Sequence, residues 1–381
     1  MQHLNTKYSK KISSSIWQNI GKVLVALLLL SAGTEIVARF ILHRSIPKEI
    51  PVGTPLISGS ETYDWFAQLQ TERKELAQQF FSYAPYVLWR YRTFSGKTIN
   101  IDANGNRFTT GSKCGKSSVR IFAFGGSNLW GAYVPDWETV PSYLQKRFRK
   151  AGRDVCIINF GQAGYVTTQS LIDLMRQLQD NHLPRIVLFL GGGNDVDAAY
   201  VSREAGVHDN YQIIASKLQN KPRLVAHWHR LFPNLALLLD SSALVTQNDI
   251  EKKQNSDLLS KKIVATYLQN IQMVLALGKH FNFSSHFYWE PALPSSRKQL
   301  TAEERTFLAS IPAVQAQLHR QVYDDIKKEK RHHSLTLLTP IFDSTAERMW
   351  MDTNHFTPYA NRRVGELIFD SLSTKSQISH P

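Results

Sequence analysis

Residues 119–128 read Val-Arg-Ile-Phe-Ala-Phe-Gly-Gly-Ser-Asn, and this stretch sets the pattern for much of the chain. Its apolar run predicts a strand over Val119–Phe124, and the small residues that follow predict a tight turn. The combination of an apolar run and a block of small or polar residues recurs at 155–164 and 185–195. Because segments with helical spacing separate these runs, the sequence predicts strands and helices in alternation.

Further segments extend this alternation toward the C-terminus. The predicted strands are Val119–Phe124, Val155–Phe160, Arg185–Leu190, Phe283–Trp289 and Leu335–Leu338. The predicted helices are Pro141–Lys150, a segment through 171–178, Ile263–Leu277, Pro312–Lys328 and Pro358–Leu372. Uninterrupted apolar strands between helices indicate an α/β fold with a doubly wound, mostly parallel five-stranded sheet that is covered on both faces.

The rest of the chain divides around this pattern. We assign residues 119–372 to the main domain, with 197–260 as an insertion and 373–381 as a tail. Residues 43–118 are predicted to be a linker followed by a small α+β prefix that packs on the main domain. The predicted prefix elements are a helix over Tyr63–Tyr83, strands over Tyr86–Phe94 and Lys97–Phe108, and a type I′ turn at Asn104-Gly105.

The N-terminus has the features of a targeting segment. Residues 1–22 contain four lysines and no acidic residue, and the 20 residues of Val23–Leu42 are apolar except for positions such as Glu35 and Arg39. A helix of that length spans about 30 Å, the thickness of a bilayer core. A signal anchor with its N-terminus in the cytoplasm is the favoured interpretation, and a cleaved signal peptide and a buried helix are the alternatives. The anchor predicts a single-pass membrane protein whose catalytic domain is extracytoplasmic.

The amino-acid composition and net charge limit the classes of macromolecule that the chain is expected to bind. The chain has 381 residues and a net charge of +14, with 43% hydrophobic and 20% charged residues, which is typical of a globular protein. The charges are scattered, and neither zinc-ligand spacing nor an RNA-binding signature occurs, so we expect no nucleic-acid partner. The basic balance fits a surface near anionic lipid or glycan. Cys114 and Cys156 are the only cysteines, and they either pair or remain as two separate small residues.

Four polar blocks fall on the strand–helix pattern in a fixed order. They are Gly125-Gly126-Ser127-Asn128, Asn159 to Gly164, Gly192-Gly193-Asn194-Asp195, and Asp352-Thr353-Asn354-His355. The first three follow predicted strands, so they should meet at one edge of the sheet, where ligands bind in this class of fold. A carboxylate three residues before a histidine can orient its imidazole. Any one block alone is equally consistent with a turn or a helix cap, so the prediction of an active site depends on the set.

The order of these blocks resembles that of the SGNH hydrolases, also called GDSL-type esterases. The resemblance covers 119–372 without the insertion, and it implies the flavodoxin-like fold of that family. It also implies a catalytic triad of Ser127, Asp352 and His355. The implied oxyanion hole contains the backbone N–H groups of Ser127 and Gly164 and the side-chain amide of Asn194.

One departure from the family pattern concerns the nucleophile block. The family sequence is Gly-Asp-Ser-Leu, whereas this chain has Gly125-Gly126-Ser127-Asn128. With its anchor and prefix, the chain looks like a divergent, membrane-tethered member. We therefore expect an extracytoplasmic serine esterase or deacylase for acyl or acetyl esters of a polysaccharide or lipid. An O-acyltransferase with the same triad and a non-catalytic glycan-binding or scaffold protein are the alternatives.

Four other residues are candidates for binding substrate. Trp130 and Trp137 follow the nucleophile and either line a cleft or pack the first helix. Asp195 either orients the loop that forms the oxyanion hole or caps a helix. Glu290 ends the fourth predicted strand, near the predicted active edge of the sheet. The sequence implies no metal and no cofactor.

Overall fold

The computed structural model describes residues 63–79, 81–218, 256–329 and 334–374, and parts of a helix between 22 and 39. The chain divides into two units, one of Met1–Pro51 with Ala215–Asp249 and one of Val52–Ile214 with Ile250–Pro381. Within the described residues, no helix has both the length and the apolar character needed to cross a membrane. The predicted span over 23–42, the linker and much of the predicted insertion lie partly or wholly outside the described residues, as do residues 375–381.

The prefix, here residues 63–118, contains one helix and two short hairpins. Its elements are α1 (Phe66–Gln78), β1 (Ser82–Ala84), β2 (Leu88–Arg90), β3 (Phe94–Ser95) and β4 (Asn100–Ile101). The single strand predicted over 86–94 is wrong, because β2 and β3 are separate strands that pair with β1 and β4, respectively, and Tyr86 before them has a positive φ of 68°. The type I′ turn is also wrong. Only Gly105 of the pair has positive φ, and its N–H donates to Asp102 O, which closes a four-residue turn over 102–105.

The main sheet confirms the α/β prediction. Its strands are β5 (Val119–Gly125), β6 (Val155–Asn159), β7 (Ile186–Gly191), β8 (Ser284–Trp289) and β9 (Leu335–Leu337). They are parallel and lie in the order β6-β5-β7-β8-β9. The chain therefore reverses its direction of winding between β5 and β7. In open parallel sheets, the crevice beyond the carboxyl ends at such a reversal is where ligands bind.

Helices cover both faces of this sheet. They are α2 (Ser127–Trp130), α3 (Val140–Lys150), α4 (Thr167–Gln179), α5 (Gly193–Ser202), α7 (Ser256–Phe281), α8 (Ala302–Ser310), α9 (Ala313–Lys328) and α10 (Pro358–Thr374), and a further helix, α6 (Tyr211–Leu218), follows α5 along the chain. Along β5, Ile121 and Ala123 pack with α3 and α10, whereas Phe122 and Phe124 pack with α4, α7 and α9. Both strand faces are thus buried, which explains the continuous apolar runs. Helices α5 and α7 extend into the range 197–260 that was assigned to the insertion.

The prefix is fastened to the main domain by buried polar contacts. Arg107 pairs through its backbone with Asn159 at the edge of β6. Its guanidinium binds Asp136 at 2.9 Å and donates to the carbonyl of Val134 at 2.7 Å. A disulfide joins Cys114 to Cys156, whose Cα atoms are 5.0 Å apart. These contacts cover the open edge of the sheet and hold the prefix against the loop that follows α2.

Candidate active site

Ser127 lies directly after β5 and is the first residue of α2. The first N–H groups of a helix have no acceptor within the helix and point beyond its end. An anion or a developing negative charge is stabilised at that position. The fold therefore places the hydroxyl and the backbone N–H of one residue at the crevice between β5 and β7.

The C-terminal block reaches this serine from the opposite end of the chain. His355 Nε2 is 2.9 Å from Ser127 Oγ, and His355 Nδ1 is 2.7 Å from Asp352 Oδ2. These distances give an unbroken hydrogen-bonded series from Asp352 through His355 to Ser127. The predicted triad residues are thus brought together in the order that a serine nucleophile requires.

The carboxylate of Asp352 is held by its own loop. Its Oδ1 accepts from the backbone N–H groups of Asn354 at 2.8 Å and His355 at 2.7 Å. Burial raises the pKa of Asp352. The nearby His355 and these hydrogen bonds outweigh burial, and the pKa is held well below its usual range. The group therefore remains an anion that can orient and stabilise the imidazole.

Gly164 and Asn194 approach the nucleophile from the ends of the neighbouring strands. Gly164 has φ +71°, a conformation that glycine adopts without a steric penalty. Asn194 Nδ2 donates to Tyr165 O at 3.0 Å, and an amide nitrogen has a second hydrogen for a ligand. A Cβ on Gly126 would lie 2.2 Å from Asn194 Nδ2. The Asn194 amide is therefore seated directly against the nucleophile turn.

The prefix contacts the loop at 162–164, called the oxyanion loop here because it contains Gly164. No catalytic or binding motif was recognised in the prefix sequence. Trp89 Nε1 donates to Ala163 O at 2.8 Å, and a Cβ on Gly164 would lie 3.6 Å from the Trp89 ring. Gln162 Oε1 accepts from Tyr91 N at 3.0 Å, and its Nε2 donates to Gly105 O at 2.8 Å. The prefix therefore binds this loop at both Gln162 and Ala163. No local sequence pattern marks these contacts, because they join residues about 57 to 74 positions apart.

The prefix also contacts an aromatic side chain that packs beside His355. The Tyr133 ring centroid is 5.0 Å from that of His355, and the Arg73 guanidinium lies 3.6 Å from the Tyr133 centroid. Burial and the Asp352 carboxylate raise the pKa of the Tyr133 phenol, and Arg73 opposes that rise. Arg73 belongs to α1, so the prefix helix stabilises the aromatic wall beside the imidazole.

Asp195 has a positioning role. It is buried, and its carboxylate accepts from the backbone N–H of Thr167 at 3.1 Å and from the Thr167 hydroxyl at 2.8 Å. Thr167 begins α4, three residues after Gly164, so this contact joins Asp195 to the segment that follows Gly164. Burial raises the pKa of Asp195 to about 7. The side chain is 4% exposed, and a substrate contact for Asp195 stays a prediction.

Two of the other substrate-binding candidates are also buried. Trp130 is 3% exposed, stacked at 4.4 Å on Tyr91 and at 4.2 Å beneath Arg107. Glu290 is 5% exposed and accepts hydrogen bonds from Asn128 and Gly193. In this structure Trp130 packs on other side chains and Glu290 is hydrogen-bonded, and their substrate contacts stay predictions. Burial raises the pKa of Glu290, and these two hydrogen bonds oppose the rise.

Trp137 is different, since it is 40% exposed. It lines a cavity of about 410 Å³ together with Arg149 and Arg362. A substrate-binding role for Trp137 stays a prediction. Within the part of the chain that the structure describes, no cluster of three or more His, Cys, Asp or Glu side chains is arranged to hold a metal ion.

No protein-family model matches the chain, and no curated protein matches it. It is similar to solved esterases and lipases. An esterase from Pseudoalteromonas sp. has 13% identity and a TM-score of 0.36, with 68% of this chain and 98% of that protein covered. A lipase from a goat rumen metagenome has 12% identity, a TM-score of 0.41, and coverage of 67% and 97%.

A member of the lipolytic G-D-S-L family from Veillonella parvula has 10% identity, a TM-score of 0.38, and coverage of 67% and 98%. At this level of identity and overlap, similarity does not determine the activity of this chain. We therefore infer the activity from the geometry of the site.

Proposed function

We propose that this chain is a serine ester hydrolase of the SGNH type. The observation that carries the proposal is the hydrogen-bonded series Asp352–His355–Ser127, with distances of 2.7 and 2.9 Å between successive partners. A serine hydroxyl is a poor nucleophile unless an adjacent base takes its proton. The series supplies that base, and the ionised Asp352 holds it in the required tautomer.

The reaction follows from the positions of these groups. Ser127 Oγ attacks the carbonyl carbon of the ester while its proton passes to His355 Nε2. Negative charge on the carbonyl oxygen is then stabilised by the N–H groups of Ser127, Gly164 and Asn194. His355 returns the proton to the departing alcohol oxygen as the ester C–O bond breaks. In the second half, His355 takes a proton from water, and the resulting attack releases the acid and restores Ser127.

The substrate class that we propose is an acyl or acetyl ester of a polysaccharide or lipid. The net charge of +14 supports a polyanionic or membrane-associated substrate surface. The test is to treat the purified full-length chain with a fluorophosphonate probe and with a series of acetyl and longer acyl esters. Covalent labelling at Ser127 together with ester turnover is expected. A folded wild-type protein that does neither would exclude the proposal.

The same experiment separates hydrolysis from transfer. Adding a sugar hydroxyl acceptor and following the acyl group by mass spectrometry measures how it divides between water and the acceptor. A hydrolase releases free acid at a rate that the acceptor does not change. Acyl transfer that dominates over release would favour the O-acyltransferase alternative.

We further propose that the catalytic unit is extracytoplasmic and that the N-terminal segment anchors it to a membrane. The lysines at 7, 10, 11 and 22 and the apolar residues that follow support this orientation. The disulfide between Cys114 and Cys156 supports an oxidising compartment. Alkaline phosphatase fused after residue 60 should be active, because it matures only outside the cytoplasm. An inactive fusion, with a cytoplasmic reporter active at the same position, would overturn the topology.

A further inference from the structure

Glu290 is a buried carboxylate at the end of β8 that does not touch the triad. Its Oε1 accepts from the backbone N–H of Gly193 at 3.0 Å, and its Oε2 accepts from Asn128 Nδ2 at 3.0 Å. Gly193 immediately precedes Asn194 in α5, and Asn128 immediately follows Ser127 in α2. One carboxylate thus connects the residue beside the nucleophile to the residue beside the side-chain oxyanion donor.

Asn128 extends this connection to the loop that carries the base. Its Nδ2 also donates to Asn354 O at 3.1 Å, and its Oδ1 accepts from Phe356 N at 3.2 Å. Asn354 and Phe356 are the two neighbours of His355. The Asn128 amide therefore holds the backbone on both sides of the base, while Glu290 holds the amide.

Ser127, Asn194 and His355 are consequently each one residue away from a group that this pair contains or contacts. The three segments come from distant parts of the chain, and the Asn128–Glu290 bond alone spans 162 positions. Catalysis depends on their relative placement, because a misplacement of about 1 Å can lower a rate by about a hundredfold. Asn128 stands where the family pattern has leucine, a side chain that cannot make these bonds.

We propose that Asn128 and Glu290 are a pair of positioning residues that set the relative placement of Ser127, Asn194 and His355. This inference rests on the proposed hydrolase function, whose site it deepens. The proposal requires that the side chain at position 290 accept two hydrogen bonds, whereas a role in packing alone would require only its size and shape. Both partners of Glu290 donate N–H groups, so a carboxylate satisfies both of them. A glutamine satisfies only one and turns its own NH₂ toward the other.

The experiment is a charge-exchange cycle of Glu290→Gln, Asn128→Asp and the double variant. Each single substitution should lower the rate constant for fluorophosphonate labelling and the kcat for ester hydrolysis by about tenfold to a hundredfold, with a much smaller change in KM. In the double variant, the new glutamine NH₂ donates to the new aspartate, and its oxygen still accepts from Gly193. The bond to Asn354 O stays lost, because a carboxylate cannot donate it. The double variant should therefore react faster than the slower single variant and slower than the wild type.

Glu304→Gln is the matched control for simple loss of a buried carboxylate. Glu304 is fully buried, pairs with Lys298 at 2.5 Å and accepts from Met349 N at 2.7 Å, and none of these residues belongs to the four site blocks. This control should lower Tm, while the labelling rate of the folded protein stays near that of the wild type. A folded Glu290→Gln protein with the wild-type labelling rate, or a double variant no faster than the slower single variant, would overturn the proposal.

A readout independent of turnover separates this proposal from the hydrolase proposal. The proton between His355 Nδ1 and Asp352 should give a low-field ¹H NMR resonance in the wild type. That resonance should shift or broaden in Glu290→Gln and remain in Glu304→Gln. If the wild type neither labels nor turns over esters, the hydrolase proposal fails, and the NMR comparison still decides whether the pair positions His355. An unchanged resonance in Glu290→Gln would exclude that role.

Discussion

A Cβ placed on Gly126 would lie 2.2 Å from Asn194 Nδ2, a distance that no real side chain tolerates. Gly126 occupies the position of aspartate in the Gly-Asp-Ser-Leu pattern. In this chain the Asn194 amide fills the space that such a side chain would need. The departure from the Gly-Asp-Ser-Leu pattern at Gly126 is therefore coupled to the position of the Asn194 amide, which we propose as an oxyanion donor.

Gly126→Ala should displace the Asn194 amide and lower turnover toward that of Asn194→Ala, a loss on the order of 10²–10³, or roughly 3–4 kcal/mol. The double variant should lose little more than Asn194→Ala, since both changes remove the same donor. Gly191→Ala is the matched control, because a Cβ there meets only Thr167 Oγ1 at 3.6 Å, an ordinary contact. Steady-state rates on a responsive ester measure all four variants. Additive losses in the double variant would contradict the coupling.

Ser127→Ala should abolish covalent labelling and ester turnover, because we propose no other nucleophile. His355→Ala should come close to the same loss, since the serine would keep its proton near neutral pH. Intact-mass spectrometry after probe treatment measures labelling, and circular dichroism checks folding. Wild-type turnover from folded Ser127→Ala protein would end the serine-hydrolase proposal.

Asp352→Asn should fold and lower turnover by a large factor, on the order of 10³–10⁴. The side-chain oxygen would be retained by the backbone N–H groups of Asn354 and His355, which leaves the NH₂ facing His355 Nδ1. Nδ1 would then have to accept, and Nε2 would carry the hydrogen and could not take the Ser127 proton. The pH–rate profile tests this mechanism. Activity near the wild-type level at neutral pH would contradict the proposed tautomer.

Asp195 should make the free energy of unfolding fall as pH rises. Its pKa is raised by burial from 3.8 to about 7, with a smaller contribution from Glu290, so the folded state favours the neutral acid. Below pH 3.8 the carboxyl is protonated in both the folded and the unfolded protein. Between pH 3.8 and 7 only the unfolded protein releases the proton, so the free energy of unfolding falls by about 1.4 kcal/mol per pH unit. Compared with Asp195→Asn, the wild type should lose stability over that window and stay level above it. Urea unfolding of both proteins from pH 4 to 8 measures the difference, and a constant difference would refute the assignment.

Cys114→Ser or Cys156→Ser should destabilise the catalytic unit by about 4 kcal/mol in the chain-entropy treatment of a closed loop. The loop between these cysteines spans 42 positions. Reduction of the wild type should lower Tm toward that of the serine variants, and the double Cys→Ser variant should not respond to reductant. Equal Tm values for oxidised and reduced wild type would indicate that the bond does not form.

The alternation of strands and helices was predictable because its causes are local. A strand buried on both faces requires a continuous apolar run, and a helix requires apolar residues at its own spacing. The turns after Val119–Phe124 and Arg185–Leu190 were recognisable from the small residues that tight turns need. Tyr86 and Leu88 show the limit, because no pattern of apolar residues records their positive φ values.

The sequence by itself determined the five parallel strands, the order of the four blocks, and the candidate identities of Ser127, Gly164, Asn194, Asp352 and His355. Parallel strands bring their carboxyl ends to one edge, so the strand pattern predicted that Ser127, Gly164 and Asn194 meet. The placement of Asp352 and His355 beside them was implied by the resemblance to the SGNH hydrolases. Only the tertiary structure decided which buried groups hold them there. Trp89 at the oxyanion loop and Glu290 on Asn128 act across 74 and 162 positions. Such contacts have no period in the sequence, because their partners become neighbours only after the sheet and the prefix have packed.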